Sequence, residues 1–195
     1  MPMTPDPAKS ALRAELRAAR DGFVLDLAAG ERDRLEAAAA AHLAPLLAGA
    51  HRVAFYVALG SELGCGSAIE AAMGHGITPL LPYVSGPDQP MRFLSWAPAE
   101  PLEKGWRGLL QPAGGAPERE PDIIVAPLLG FDLGLRRLGQ GAGFYDRAFA
   151  GLPNVKRFGL GWSIQQRPLI ASDPWDVPLD LVVTEAGVIG EIDRP

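Results

Sequence analysis

Leu12, Leu16, Ala19 and Phe23 recur at i, i+4, i+7 and i+11, one apolar face of a helix over residues 9–23. Lys9, Arg13, Arg17 and Arg20 make a positive stripe beside that face. A second helical stretch covers about residues 31–47, with Leu35, Leu43 and Leu46 inward and Pro45 placed to kink or end it. The period then changes. In RVAFYVAL, residues 52–59, Val53, Phe55, Val57 and Leu59 alternate, which predicts a strand. Helical sequence returns over 67–75, and ITPLLPYV (77–84) and MRFLSW (91–96) read as further strands. Within 121–132, the continuous apolar run 123–126 suits a strand buried on both faces. A short helix over 144–150, strands over 157–162 and 179–184, and a closing hairpin at Gly187 complete the pattern. Strands alternating with helices predict an α/β protein with a mainly parallel sheet. The chain shows no repeat and no linker, so one domain over 1–195 is expected, with the proline-rich residues 1–7 as a loose tail.

With 195 residues, 48% of them apolar, the chain can bury a full core without staples. The net charge of −5 gives no overall basic footprint for nucleic acid, though a local basic cluster can still take phosphate. The single Cys65 excludes an intramolecular disulfide and a cysteine metal cluster, and is expected to be a buried thiol. The first residues carry no apolar signal region, and no stretch approaches the length of a membrane span, so a cytoplasmic location is expected.

The densest chemistry lies in GFDLGLRRLGQGAGFYDRAFA, residues 130–150. Gly139, Gly141 and Gly143 alternate, shortly after the apolar strand ends near Pro127. Ligands of open α/β sheets gather at the carboxyl ends of strands. Alternating glycines let backbone N–H groups form a concave nest suited to phosphate oxygens. A helix starting near Phe144 would add its positive end, Arg136 and Arg137 could neutralise phosphate, and Asp146 could hold magnesium. The spacing is neither a Walker loop nor the dinucleotide fingerprint, and it suits a flexible connection equally well. Glu62 follows the first strand and could accept from ligand N–H groups, or be solvated. Lys9 and Arg13 could reach a phosphate, or lie on a solvated helix face. Asp176 and Asp180 flank VPL, where either could bind metal or cap a turn. No Ser-His-Asp or Cys-His constellation is legible, and His42, His51 and His75 are scattered.

Together these residues resemble a known family. RLGQGAGFYDR (137–147) is similar to the R-L-G-x-G-x-G-Y-Y-D-R signature of the 5-formyltetrahydrofolate cyclo-ligase family, matching at Arg137, Leu138, Gly139, Gly141, Gly143, Tyr145, Asp146 and Arg147. KSALR (9–13), FYVALGSELGC, MRFLSW, LLQP (109–112), GLGWSIQQ and DPWDVPLDLVVTE resemble its other segments in the same order, the last two placing Gln165 and Asp176. The resemblance implies a single three-layer α/β/α domain, similar to the ribose-phosphate isomerase and CoA-transferase group. It implies ATP- and magnesium-dependent conversion of 5-formyltetrahydrofolate to 5,10-methenyltetrahydrofolate, ADP and phosphate. The formyl oxygen would take the γ-phosphoryl group, N10 would attack the activated carbon, and phosphate would leave. Such chemistry needs positioning and charge neutralisation more than a general base.

Carried over by position, the resemblance makes Arg137 and Tyr145 catalytic. It gives ATP to Lys9, Arg13, Arg137, Leu138, Gly139, Gln140, Gly141, Ala142, Gly143, Phe144 and Tyr145, folate to Val57 and Glu62, and magnesium to Asp146 and Asp176. It implies small-molecule partners, no nucleic acid or membrane, and a monomer. The sequence departs from the family at Ala142 (often glycine), Phe144 (tyrosine), Trp175 (often histidine) and Ser163 (often acidic). The competing readings are a folate or nucleotide binder without turnover, and a related enzyme for another amide substrate.

Overall fold

The computed structural model describes residues 7–191. Most of the expected tail, residues 1–7, lies outside the described residues, but Pro7 itself opens the first helix, where its fixed φ fits. The helices are α1 (Pro7–Leu25), α2 (Glu31–Leu43), α3 (Gly66–Gly74) and α4 (Phe144–Gly151). The strands are β1 (Arg52–Ala54), β2 (Thr78–Tyr83), β3 (Arg92–Ser95), β4 (Glu103–Lys104), β5 (Leu110–Gln111), β6 (Ile123–Pro127), β7 (Gly130–Phe131), β8 (Arg137–Leu138), β9 (Lys156–Leu160), β10 (Leu181–Thr184) and β11 (Gly187–Ile189). Seven of them form one sheet in the order β11-β10-β9-β6-β1-β2-β3. The five inner strands are parallel, and β3 and β11 run antiparallel at the edges.

Helices cover both faces. Leu43 of α2, Ile69 of α3 and Phe23 of α1 pack with Val53, Val125, Phe158 and Val183. Phe149 of α4 and Phe131 pack with Ile124, Ala126 and Val182, which point the other way from their strands. The result is the expected three-layer α/β/α arrangement. No helix among the described residues is long and apolar enough to cross a membrane.

Two sequence expectations change in detail. The strand expected over 52–59 keeps its ladder only to Ala54, and it is not half-buried, because Val53, Ala54, Phe55 and Tyr56 are all inaccessible. This central strand lies between β2 and β6 with helices above and below, so neither face meets water. The helix expected to Leu47 ends at Leu43, and Ala44–Leu47 tightens into a 3₁₀ turn around Pro45, which has no N–H to continue the α pattern.

The β7–β8 hairpin escapes the periodicity altogether. Its turn is organised by Asp132, fully buried, which accepts from the N–H of Arg136 (3.1 Å) and of Ile170 (2.8 Å). That hairpin matters because it raises Arg137 beside the sheet. From β1 the chain winds through α3 to β2 on one side; from β6 it winds through α4 to β9 on the other. Strand order therefore reverses between β1 and β6, the point at whose carboxyl ends sheets of this kind bind ligands.

Candidate functional site

Glu62 comes from the chain leaving β1, and the glycine loop from the chain leaving β6, so both flank the reversal point. Glu62 is only 4% exposed. Its Oε2 accepts from the N–H of Leu59 (3.0 Å), and its Oε1 accepts from Nε2 of Gln140 (2.9 Å) in the glycine loop. The loop turns through left-handed backbone at Gly141 (φ 100°) and Gly143 (φ 67°), conformations that disfavour side-chain-bearing residues. Gly143 delivers the chain into α4, whose first turn carries Asp146.

The basic stripe of α1 is not left wholly to water: Lys9 and Arg20 are buried, and Arg13 and the exposed Arg17 reach this loop. Arg13 donates Nε to the carbonyl of Gly139 (3.0 Å), and Arg17 donates Nη2 to Oε1 of Gln140 (2.7 Å). Arg20, 4% exposed, donates Nε to Ser61 Oγ (2.9 Å) and sets Nη1 3.6 Å from Glu62 Oε1. At the other end of the stripe, buried Lys9 pairs with Asp173 (2.6 Å) and Asp176 (2.7 Å). Burial pulls the Lys9 ammonium down, but the hydrogen bonds and charges of the two aspartates outweigh it and hold its pKa above the ordinary value.

Arg137 is nearly sealed. Its Nη2 meets both oxygens of Asp146 (3.1 and 3.0 Å), and its guanidinium stacks over Tyr145 and Phe149, 5.5 and 5.8 Å from the ring centres. Burial pushes the Tyr145 phenol up, against a smaller opposing pull from Arg137, so its hydroxyl stays protonated. Arg136, Arg137 and Asp176 line one small crevice of about 10 Å³, which brings the two ends of the site together.

Asp146 and Asp176 are each held by a cation, Arg137 and Lys9, rather than by each other. No group of three or more His, Cys, Asp or Glu side chains suited to a metal occurs among the described residues. Magnesium takes one or two carboxylates and completes its shell with phosphate oxygens and water, so the number and chemistry of these two side chains are compatible with it.

Other expected positions fall as follows. The side chain of Leu138 is in the core against Leu16, Leu129 and Ile170, so only its backbone faces the loop. Val57 is half-buried beside the core, and exposed Ala142 accepts from Arg147 through its carbonyl (3.1 Å). Phe144 packs at a near right angle to Trp106 (ring centres 5.4 Å apart) and lies 4.8 Å from the Arg147 guanidinium. Asp180 pairs with Arg157 and accepts from its backbone N–H (2.6 Å), a tie between β9 and the start of β10 rather than a turn cap. Gln165 is also structural: it donates to the carbonyls of Leu128 (2.7 Å) and Leu129 (3.0 Å). Cys65 is buried, and burial pushes its thiol up to about 12. Sequence reasoning missed the partner roles of Arg20 and Asp173; the stripe spacing and the D-P-W-D context were their only signals. An open groove of about 510 Å³ between α4 and residues 118–121 lies outside this cluster.

A sequence model of the 5-formyltetrahydrofolate cyclo-ligase family matches residues 5–185. A 5-formyltetrahydrofolate cyclo-ligase of Haemophilus influenzae is 37% identical over 99 residues, which cover 47% of this chain and 52% of the relative; the chain thus spans about half of that protein's length. The Escherichia coli K12 protein of the same name is 28% identical over 152 residues, covering 71% of this chain and 80% of the relative. The structure of Aquifex aeolicus 5,10-methenyltetrahydrofolate synthetase superposes with a TM-score of 0.77 at 29% identity, covering 96% of this chain and 94% of that one. The synthetase of Mycoplasma pneumoniae, at 24% identity and a TM-score of 0.71, covers 91% of this chain and 98% of its own and shares the fold.

Proposed function

Because the chain belongs to the 5-formyltetrahydrofolate cyclo-ligase family, we propose that it converts 5-formyltetrahydrofolate and ATP to 5,10-methenyltetrahydrofolate, ADP and phosphate. The observation that carries this reading is the contact between α1 and the glycine loop, Arg13 Nε on the Gly139 carbonyl at 3.0 Å. It brings Arg13 and Arg17 to the glycine loop, which Arg137 also touches at Gly139; this supports a reading in which a polyphosphate is neutralised there.

In this reading Glu62 accepts from the pterin ring, beside Val57. Lys9, Arg13 and Arg137 take the phosphates, and the backbone from Gly139 to Gly143 cradles them. Lys9 and Arg137 now rest on carboxylates. A phosphate is a charged acceptor that can take over those guanidinium and ammonium donors. The protonated Tyr145 hydroxyl can donate to an oxygen gaining charge in transfer. Asp146 and Asp176 are the groups that would hold magnesium, which neutralises phosphate charge when bound. The formyl oxygen becomes a leaving group by accepting the γ-phosphoryl group as ADP departs; N10 then attacks the activated carbon and gives up its proton, and phosphate leaves with the C–O bond electrons. The protein's part is to hold both substrates aligned and dry.

The test is a spectral assay on the folded protein. Methenyltetrahydrofolate absorbance should grow only when 5-formyltetrahydrofolate, ATP and magnesium are all present. Tight folate binding with no ADP release would overturn the reading in favour of a non-catalytic binder.

A further inference from the structure

Gln140 fills the unspecified position between the first two glycines of the loop, and its side chain bridges two distant elements. Its Nε2 donates to Glu62 Oε1 (2.9 Å), and its Oε1 accepts from Arg17 Nη2 (2.7 Å). This amide orientation alone serves both neighbours, because a carboxylate only accepts and a guanidinium only donates. The other Glu62 oxygen is on the Leu59 N–H, and Arg20 Nη1 stands 3.6 Å from the first. Gln140 therefore helps close a carboxylate that has almost no exposure. Of the groups around Glu62, it is an exposed one on a loop, between Gly139 and the left-handed Gly141, while Arg20 is buried. Gln140 is the exposed member of that cover.

We propose that Gln140 is a positioning residue that couples the two substrate sites, covering Glu62 until nucleotide phosphate draws Arg17 away. The inference rests on the reading of Glu62 as the pterin carboxylate and of the glycine loop as the phosphate cradle. A phosphate oxygen is a stronger acceptor for an exposed guanidinium than a neutral amide oxygen is. Once Arg17 turns to phosphate, the amide loses one of its two anchors and Glu62 opens more often. Apparent pterin affinity scales with the open fraction. Linkage makes the effect reciprocal: a pterin that displaces Gln140 frees Arg17 for phosphate.

The test is calorimetric binding of 5-formyltetrahydrofolate to wild type, Gln140→Ala and Gln140→Asn, each with and without a non-hydrolysable ATP analogue and magnesium. Asparagine keeps the amide but is one methylene too short to bridge. Wild type should bind folate about tenfold more tightly with the analogue present, a typical size for coupling between sites. Both variants should bind folate without the analogue as tightly as wild type does with it, and the analogue should add nothing. Arg17→Ala should behave in the same direction. Variants that keep the wild-type coupling factor, or that weaken folate equally in both arms, overturn the proposal, as does wild type that binds folate with no coupling. Wild type that binds no folate at all overturns the cyclo-ligase reading itself, a result distinct from uncoupled binding.

Discussion

A single nitrogen of Arg137, Nη2, is shared between both oxygens of Asp146, at 3.1 and 3.0 Å. The guanidinium does not use its full fork on that carboxylate: Nη1 reaches only the Pro127 carbonyl at 3.3 Å, and the buried Nε has no hydrogen-bond partner among the described residues. A nearly sealed cation with donors in reserve is unusual, since buried polar groups are normally satisfied. The geometry suits a group that waits for a second anion.

Arg137→Lys keeps the charge but loses the fork and the stack on Tyr145 and Phe149. Its kcat/KM should fall about 100-fold, or about 2.7 kcal/mol of transition-state stabilisation. Arg137→Ala should lose more and also lower the melting temperature, because it leaves a gap in the core and Asp146 without its partner. Turnover close to wild type in the lysine variant would remove Arg137 from the phosphate site.

Glu62→Gln should act on folate more than on ATP. The amide has the carboxylate's shape but turns one acceptor into a donor, which costs about 1.5 kcal/mol and raises KM for folate about tenfold. KM for ATP should change by a smaller factor, because Glu62 reaches the glycine loop only through the Gln140 amide. Equal changes in both constants would contradict the pterin-side placement.

Lys9 supplies a pH test. Its folded pKa lies above 10.5, so its contribution to stability is complete below 10.5 and is lost as pH rises through the higher folded value. Lys9→Met should therefore melt lower than wild type at neutral pH, because Asp173 and Asp176 are left facing each other without a cation. The gap should narrow as pH climbs past 10.5. A gap that is constant across that range would show that the ion pairs contribute nothing.

What the sequence reveals and what it hides divide along chain distance. The glycine loop, Arg137 and Asp146 are legible because their spacing is local, and the helices and parallel strands follow from period. Hidden are the partners that meet only after folding: Arg20 with Ser61, 41 residues apart, and Lys9 with Asp173, 164 apart. The β7–β8 hairpin is hidden because two-residue strands have no period to detect, and its organiser Asp132 reads as an ordinary loop acid until burial is known. The stripe on α1 is legible as charge, yet only the fold shows that Arg13 and Arg17 reach the glycine loop.

Phe144, which stands where the family usually has tyrosine, allows a final prediction. Its ring packs at a near right angle to Trp106 and lies under the guanidinium of Arg147, at the first position of α4. Contacts of these two kinds are worth about 0.5–1.5 and 0.5–1 kcal/mol. They fasten the end of the glycine loop to the β4–β5 hairpin, which carries Trp106. Phe144→Tyr keeps both contacts, so its melting temperature should match wild type and its KM for ATP should stay within about tenfold, the effect of one added hydrogen bond at most. Phe144→Ala loses both, unfastens the first turn of α4 from its neighbours, and should raise KM for ATP while lowering the melting temperature. Steady-state kinetics with thermal melts on the pair would decide it. If the alanine variant keeps wild-type KM, the loop holds its shape from its glycines and Arg13 alone, and the aromatic contact is packing without a role in nucleotide binding.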